Sequence, residues 1–204
     1  MLGNIKYNPL PRITTAMQQI REYFGRMVTL SDSEWELFSS KLERKEFAKK
    51  EDLLKAGQTE GYLSFLEKGI VRYFIAKELS DLTFDFGFEN EFVCAYDSFL
   101  TRQPSFYHIE ALADTVVWRL AYADLQEVYR QSAVGNTIGR LAAEQLYLRK
   151  SKREKSLLYE SAEERYQKLF TEQARLIRQI PLKYIASYIG ITPQALSRIR
   201  QRIT

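Results

Sequence analysis

The chain of 204 residues has one cysteine and one histidine, and this scarcity excludes several kinds of site. Cys94 has no partner for an internal disulfide, and Cys94 with His108 cannot supply the ligand sets of structural zinc or iron–sulfur centres. We therefore expect neither a metal nor another bound cofactor. The sequence also contains no evident Ser–His–Asp set, glycine-rich phosphate loop or paired-carboxylate motif, so we expect no enzyme activity.

Long apolar runs are absent as well. No stretch of about 18 apolar residues occurs, and the first fifteen residues contain no continuous apolar segment, so the sequence predicts neither a membrane span nor a signal peptide. With 45% hydrophobic and 27% charged residues, the composition is that of a globular protein. We expect it in the cytoplasm.

The net charge of +4 is distributed unevenly along the chain. Residues 149–204 hold 13 Lys and Arg against 5 Glu, whereas residues 1–148 hold 17 basic and 21 acidic residues. A basic C-terminal part favours a polyanionic partner such as DNA, although a basic surface is often only a solvated face.

Residues 182–201 have the pattern of a DNA-reading helix-turn-helix. Gly190 marks the turn, Thr192 is suited to cap the second helix and Pro193 suits its first turn. The positions that such a motif must bury are all apolar: Ile185, Ala186, Ile189, Ile191, Leu196 and Ile199. An ordinary helical hairpin is the alternative, but a small residue at Ala186 favours the close approach of two helices at a steep angle.

The outward positions of the second helix are rich in hydrogen-bonding groups. We predict that Gln194 and Arg198 contact bases. Phosphates would mainly be positioned by Lys183, Thr192, Ser197, Arg200 and Arg202. The full predicted DNA-binding set is Lys183, Thr192, Pro193, Gln194, Ser197, Arg198, Arg200, Gln201 and Arg202. The predicted partner is double-stranded DNA with a roughly palindromic operator, whose half-sites lie about 34 Å apart.

The middle of the chain alternates short β-type runs with glycines and polar clusters. Eight such runs between Phe47 and Leu120 predict an antiparallel sandwich or barrel of the jelly-roll kind. A cupin-type enzyme is a remote alternative, because such sites need at least two histidines and a carboxylate. His108 lies in an alternating run, where a structural role is the commoner one.

Helices flank this β-region. Helices are predicted over about 14–26 and about 32–42, the second opened by a capping box at Ser31 and Glu34; a second capping box, at Ser161 and Glu164, opens the C-terminal domain. Between them a long helix carries a heptad-like seam of Val134, Ile138, Leu141, Gln145 and Leu148. From pattern alone this seam either packs against its own β-domain or joins two copies of the chain. Two reading helices on a two-fold axis favour the homodimer.

The order of these parts resembles the cyclic-AMP receptor protein and fumarate–nitrate regulator (Crp/Fnr) family of bacterial transcription factors. The resemblance spans about residue 30 to the end. It is carried by IASYIGITPQALSRI (185–199), by SAEERY (161–166), and by EKGIVRYF (67–74), which is similar to the family's glycine turn between strands.

The resemblance implies an α+β fold with three units: N-terminal helices with a cyclic-nucleotide-binding-like jelly roll in 1–130, a dimerisation helix and hinge in 131–159, and a winged helix-turn-helix in 160–204. It also implies RNA polymerase as a partner. Pro193 and Gln194 replace an arginine and a glutamate that read bases in many relatives, so the target sequence is expected to differ.

The family's phosphate-binding cassette is also altered. Cys94-Ala95 stands where relatives have Gly-Glu, and Ser105-Phe106 stands at the Arg-Ser position, so cyclic nucleotide binding in the usual mode is not expected. A buried phosphate without its cation would cost several kcal/mol. The aromatic cassette is either a closed core or a pocket for an apolar or aromatic effector, with Phe92, Tyr96, Arg102, Phe106 and Tyr107 as candidate lining. Effector control and ligand-independent regulation both stay open.

Overall fold

The computed structural model describes residues 13–203, with side chains from Ala16 onward. It begins with α1 (Ile13–Gly25) and α2 (Asp32–Ser39), close to the predicted ranges. The predicted capping box opens α2: the Ser31 hydroxyl accepts from the Glu34 amide at 3.3 Å, and the Glu34 carboxylate accepts from the Ser31 amide at 3.0 Å. Two backbone amides at the start of the helix are therefore satisfied locally.

Eight strands follow in the described residues: β1 (Glu43–Phe47), β2 (Asp52–Leu54), β3 (Tyr62–Lys68), β4 (Ile70–Ile75), β5 (Leu82–Phe88), β6 (Phe92–Val93), β7 (His108–Ala111) and β8 (Thr115–Ala121). They form two antiparallel sheets of four strands, in the orders β1-β8-β3-β6 and β2-β7-β4-β5. This two-sheet arrangement confirms the predicted jelly roll. A short helix, α3 (Tyr96–Thr101), lies between β6 and β7 and was not predicted.

The turn between β3 and β4 requires the glycine of the EKGIVRYF motif. Gly69 has a φ of +103°, and a Cβ built there would lie 2.4 Å from the Thr115 Oγ1 atom. A side chain at this position would therefore meet both backbone strain and a steric clash.

The second half of the described chain is helical: α4 (Tyr122–Gln131), α5 (Ala133–Tyr159), α6 (Ala162–Glu172), α7 (Ala174–Gln179), α8 (Leu182–Tyr188) and α9 (Pro193–Ile203). Ser132 separates α4 from α5, and its hydroxyl caps α5 by accepting from the Gly135 amide at 3.0 Å. The second predicted capping box, Ser161 with Glu164, opens α6.

The predicted wing of the helix-turn-helix domain is not found among residues 160–203. Helices and their short connections occupy residues 160–203, and no β-strand lies among them. The short α7 precedes the helix-turn-helix, and α9 runs to the last described residue.

Three hydrophobic clusters form the core of residues 16–203. One fills the jelly roll around Leu66, Val71 and Val117, and a second packs α1, α2 and α4 against the outer face of the sheet that contains β3. The third joins α6, α7, α8 and α9 to Phe86 and Phe88 of β5. The C-terminal helices therefore share a core with the β-domain. Within residues 13–203, no helix is both long enough and apolar enough to cross a membrane.

Candidate functional site

The turn between α8 and α9 is built as the sequence predicts. Gly190 adopts a φ of +81°, in the left-handed region that glycine tolerates best. The amide of Ile191 donates to the Ala186 carbonyl at 3.0 Å. The guanidinium of Arg165, on α6, donates through Nε to the Ile189 carbonyl at 2.9 Å, so the supporting helix fixes the turn.

The predicted scaffold of the motif is buried. Five of its six apolar positions are buried, namely Ile185, Ala186, Ile189, Leu196 and Ile199, and Ile191 is partly buried against the same cluster. Ala186 is fully buried where the two helices approach. Its small side chain permits the close packing expected from the sequence.

The outward face of α9 is polar and open. Thr192 caps the helix, its hydroxyl accepting from the Ala195 amide at 3.2 Å. The polar positions that follow are all exposed: Gln194, Ser197, Arg198, Arg200, Gln201 and Arg202. This face has donors and acceptors suited to base edges and phosphates.

Two of the predicted phosphate-positioning cations have partners within the chain. Arg202 pairs with Glu163 of α6 at 3.0 Å, and the ammonium of Lys183 lies 4.8 Å from the centre of the Tyr184 ring. Arg202 is 65% exposed, and an ion pair so exposed contributes about 0–1 kcal/mol, so a phosphate can replace Glu163 at little cost.

The structure adds a contact that the sequence did not predict: α8 is docked on β5. The Ser187 hydroxyl accepts from the Thr83 amide at 2.8 Å and donates to the Asp81 carbonyl at 3.0 Å. The rings of Tyr188 and Phe86 pack with 5.4 Å between centroids. Because β5 is the edge strand of its sheet, α8 covers backbone groups that would otherwise be unpaired.

A buried arginine reinforces this docking. Arg72 of β4 is 2% exposed, and its guanidinium carbon lies 3.9 Å from the Phe74 ring centre and 4.1 Å from that of Tyr184 on α8. The same guanidinium binds Asp81 at 3.0 Å and Glu110 at 3.2 Å. The available sequence signal was a charged residue within the apolar run Ile70–Ile75, which is hard to bury without partners.

A cavity of about 670 Å³ lies between α5 and the rest of the N-terminal half. Its walls come from α1, α2, α4, α5 and the β6 region, with Tyr23, Phe92, Tyr96 and Tyr129 among the lining residues. Arg175, which belongs to α7 in the C-terminal helical region, also lines it. The cavity therefore touches both halves of the molecule.

The five candidate effector residues are not brought together. Phe92 and Tyr96 line the cavity, whereas Phe106 is 65% exposed and outside it. Arg102 donates to the backbone carbonyls of Glu60 at 2.6 Å and Phe99 at 3.2 Å. Tyr107 is buried in the jelly-roll core, where its hydroxyl donates to Asp97.

The single histidine is part of the packing of the second sheet. The His108 ring stacks on Phe74 with 4.8 Å between centroids, and its Nδ1 lies 3.7 Å from the Asp52 carboxylate. Among residues 13–203, no three His, Cys, Asp or Glu side chains form a group able to hold a metal.

Comparison with known proteins shows which domain and which solved structures this architecture resembles. Residues 44–132 match the family model of the cyclic nucleotide-binding domain. The fold is similar to the CLP global regulator of Xanthomonas campestris, with a TM-score of 0.67, 14% identity and coverage of 85% of this chain and 91% of that one. It is also similar to a putative transcriptional regulator of the Crp/Fnr family from Eubacterium rectale. The TM-score is 0.65, the identity 18%, and the match covers 89% of this chain and 87% of that one.

FixK2 of Bradyrhizobium japonicum is a third similar structure, with a TM-score of 0.65, 18% identity and coverage of 79% of this chain and 84% of that one. A search of curated proteins finds no match. The chain carries a cyclic nucleotide-binding domain in the Crp/Fnr fold. The fold that the sequence resemblance implied is confirmed.

Within the Crp/Fnr fold, the altered cassette of this chain is occupied by its own side chains. The ring of Tyr107 lies 5.0 Å from that of Phe84 and 6.3 Å from that of Tyr73. Ser105, which the sequence resemblance aligns with a phosphate-binding arginine, is buried, and its hydroxyl donates to the Tyr107 carbonyl at 3.0 Å. This part of the aromatic cassette is a packed core.

The five residues of the predicted dimer seam on α5 differ in their surroundings. Ile138 packs into the cluster shared with α1, α2 and α4, and Gln145 is exposed at the cavity. Val134 and Leu141 are half-buried, while Leu148 is 66% exposed. Within the seam, Ile138 therefore packs inside the chain, whereas Leu148 faces outward.

Proposed function

We propose that this protein is a sequence-specific DNA-binding transcription regulator whose α9 enters the major groove. The observation that carries the proposal is the exposed polar face of α9 on a buried scaffold. In this account Gln194 and Arg198 contact bases, and Arg198 supplies the bidentate donor geometry that guanine prefers. Lys183, Thr192, Ser197, Arg200 and Arg202 position the backbone, and Gln201 and Pro193 complete the face.

We infer that the regulator acts as a homodimer through α5. Leu148 and Leu158 are 66% and 79% exposed on this helix, and Tyr147 and Tyr159 are 70% and 73% exposed. Val134, Leu141 and Leu148 recur every seven residues, which is the spacing of a helix pair. A second copy is the occupant that also supplies the second reading helix for a palindromic operator. RNA polymerase is a further proposed partner, supported by the family resemblance alone.

Control by a small-molecule effector is the form of regulation that the cavity favours. The alternative is a ligand-independent regulator whose β-domain serves only as a dimerisation or interaction scaffold. The two differ in whether a bound molecule changes operator affinity. A cavity that includes Arg175 of the C-terminal helices favours effector control, because a ligand there would touch the part of the chain that carries the reading helix.

Selection of bound fragments from genomic DNA tests the DNA-binding proposal. The expected result is a shared motif with approximate two-fold symmetry. Arg198→Ala is expected to relax one base pair in each half-site, a change of about 1–3 kcal/mol, whereas Arg202→Ala should weaken all sequences alike. Unchanged selection by both variants would show that α9 is not the reading helix.

The dimer is tested by sedimentation of the wild type and of Leu148→Glu. The glutamate places a charge in the proposed contact of two helices, so the variant is expected to shift toward monomer. Glu144→Lys, an exposed charge change on the same helix, is the matched control. A monomeric wild type, or equal association of all three proteins, would contradict an α5 dimer.

A further inference from the structure

The cavity between α5 and the N-terminal half is a site separate from the altered phosphate cassette. Tyr107 and Ser105 of the cassette are buried outside its lining, whereas Phe92 and Tyr96 face it together with α1 and α4. Its volume of about 670 Å³ lies within the range of about 300–1,000 Å³ that is common for small-molecule sites.

Small residues of α5 form one wall of the cavity. Gly135, Gly139 and Ala142 all line it. A Cβ at Gly139 would lie 2.5 Å from the Tyr129 hydroxyl, so the glycine also lets that ring rest on the helix. Aromatic rings also line it, among them Phe24 and Phe92, which stack with 5.4 Å between centroids. These walls suit a flat apolar body.

The charged groups around the cavity are largely neutralised within the protein. Arg149 pairs with Asp85 at 3.4 Å, and Arg175 lies 3.9 Å from Glu89. Arg26 is exposed at the rim, and Glu34 is held by its capping box. Glu91 also lines the cavity, where its carboxylate accepts from the Phe88 amide at 3.1 Å, burial raises its pKa, and Arg149 and Arg175 act against its negative charge. Because Arg26 faces solvent, a ligand charge buried between these walls would find little net counter-charge. The lining therefore favours an uncharged ligand.

Three phenol groups remain to bind polar atoms of such a ligand. Tyr23, Tyr96 and Tyr129 line the cavity, and none of their hydroxyls has a hydrogen-bond partner among residues 16–203. Burial raises the pKa of all three phenols, that of Tyr129 to about 12. They stay protonated near neutral pH and can donate as well as accept.

We propose that this cavity binds an uncharged aromatic molecule that carries hydrogen-bonding groups. As an effector site the inference rests on the proposed function, because a bound ligand would contact Arg175 of α7 and so act on the C-terminal helices. Arg175 also donates to the Glu89 carbonyl at 3.4 Å and stacks on Phe88 at 4.5 Å, so it connects the cavity rim to the core beneath α8. Binding itself is testable without DNA.

The test uses two fluorescent probes with one skeleton. N-phenyl-1-naphthylamine is neutral, and 8-anilinonaphthalene-1-sulfonate adds a single anionic group. The full chain is expected to bind the neutral probe saturably, one molecule per chain, and the sulfonate more weakly by a factor of about ten or more. Ala142→Phe should abolish this binding by filling the cavity. Glu154→Phe, which adds the same ring at an exposed position of α5, should retain it.

Absence of saturable binding, equal affinity for both probes, or unchanged binding by a folded Ala142→Phe would each overturn the proposal. Loss of probe binding as two copies associate would overturn it too, because a second copy would then fill the cavity. Arg198→Ala is expected to bind the probe normally. If the ligand site is wrong, the probe does not bind while operator recognition is intact. If the proposed function is wrong, the probe binds while no operator is recognised.

Discussion

Removal of the Ser187 hydroxyl tests the docking of α8 on β5. Its Oγ accepts from the Thr83 amide at 2.8 Å, and Thr83 is fully buried. In Ser187→Ala that amide keeps its burial and loses its acceptor, which costs about 1–3 kcal/mol. Each kcal/mol shifts the Tm of a domain of this size by about 2–4 °C, so a decrease of about 2–12 °C is expected.

Hydrogen exchange measures the same contact locally. A loss of about 1–3 kcal/mol should raise exchange of the Thr83 amide about 5- to 150-fold, while amides in the β3–β8 pairing should change only to the extent that they exchange through global unfolding. Ser197→Ala is the matched control, because Ser197 is exposed and its hydroxyl makes no hydrogen bond among the described residues. Unchanged Thr83 exchange in Ser187→Ala, or an equal Tm decrease in Ser197→Ala, would refute the docking of α8 on β5.

Three further predictions follow from turns and from the cysteine. Gly190→Ala is expected to lower the free energy of unfolding by about 1–2 kcal/mol through backbone strain alone, because the nearest atoms to a new Cβ are 3.8 Å away. Gly69→Ala adds a 2.4 Å clash, so it should lower the free energy of unfolding, measured with denaturant, by more than Gly190→Ala does. Gly61→Ala places its methyl in open space and should be nearly neutral. The reverse order of the three variants would contradict these turns. Burial raises the pKa of the Cys94 thiol, so alkylation by iodoacetamide at pH 8 should be about tenfold or more slower in the folded than in the unfolded protein, and equal rates would show an open thiol.

The sequence predicted those parts of the fold that local chemistry determines. The capping boxes at Ser31 and Ser161, the left-handed Gly190 and the glycine turn at Gly69 each depend on neighbours within a few residues. The eight strands were also predictable, because alternation and glycine punctuation act over similar lengths. The buried face of α8 and α9 followed from the same kind of pattern.

Contacts between distant segments were not predictable in this way. Phe86 and Phe88 fit an ordinary strand core, and nothing in their pattern indicates that the C-terminal helices pack on them. The cavity depends on where α5 lies relative to α4, because the Tyr129 ring of α4 occupies the space beside Gly139 and itself lines the cavity. Arg102 shows a related limit: its guanidinium serves two backbone carbonyls and stacks 4.3 Å from the Tyr122 ring centre, a role that its residue type did not reveal.

The most direct test of the account is the affinity of the full chain for a duplex recovered by genomic selection, measured by fluorescence anisotropy at fixed salt. Arg198→Ala is expected to weaken binding about tenfold or more, through loss of one base contact in each half-site. Arg130→Ala, an exposed arginine of α4 outside the proposed interface, should change affinity less than about twofold. Equal affinity of the wild type and Arg198→Ala for that duplex would contradict the assignment of α9 as the DNA-reading helix.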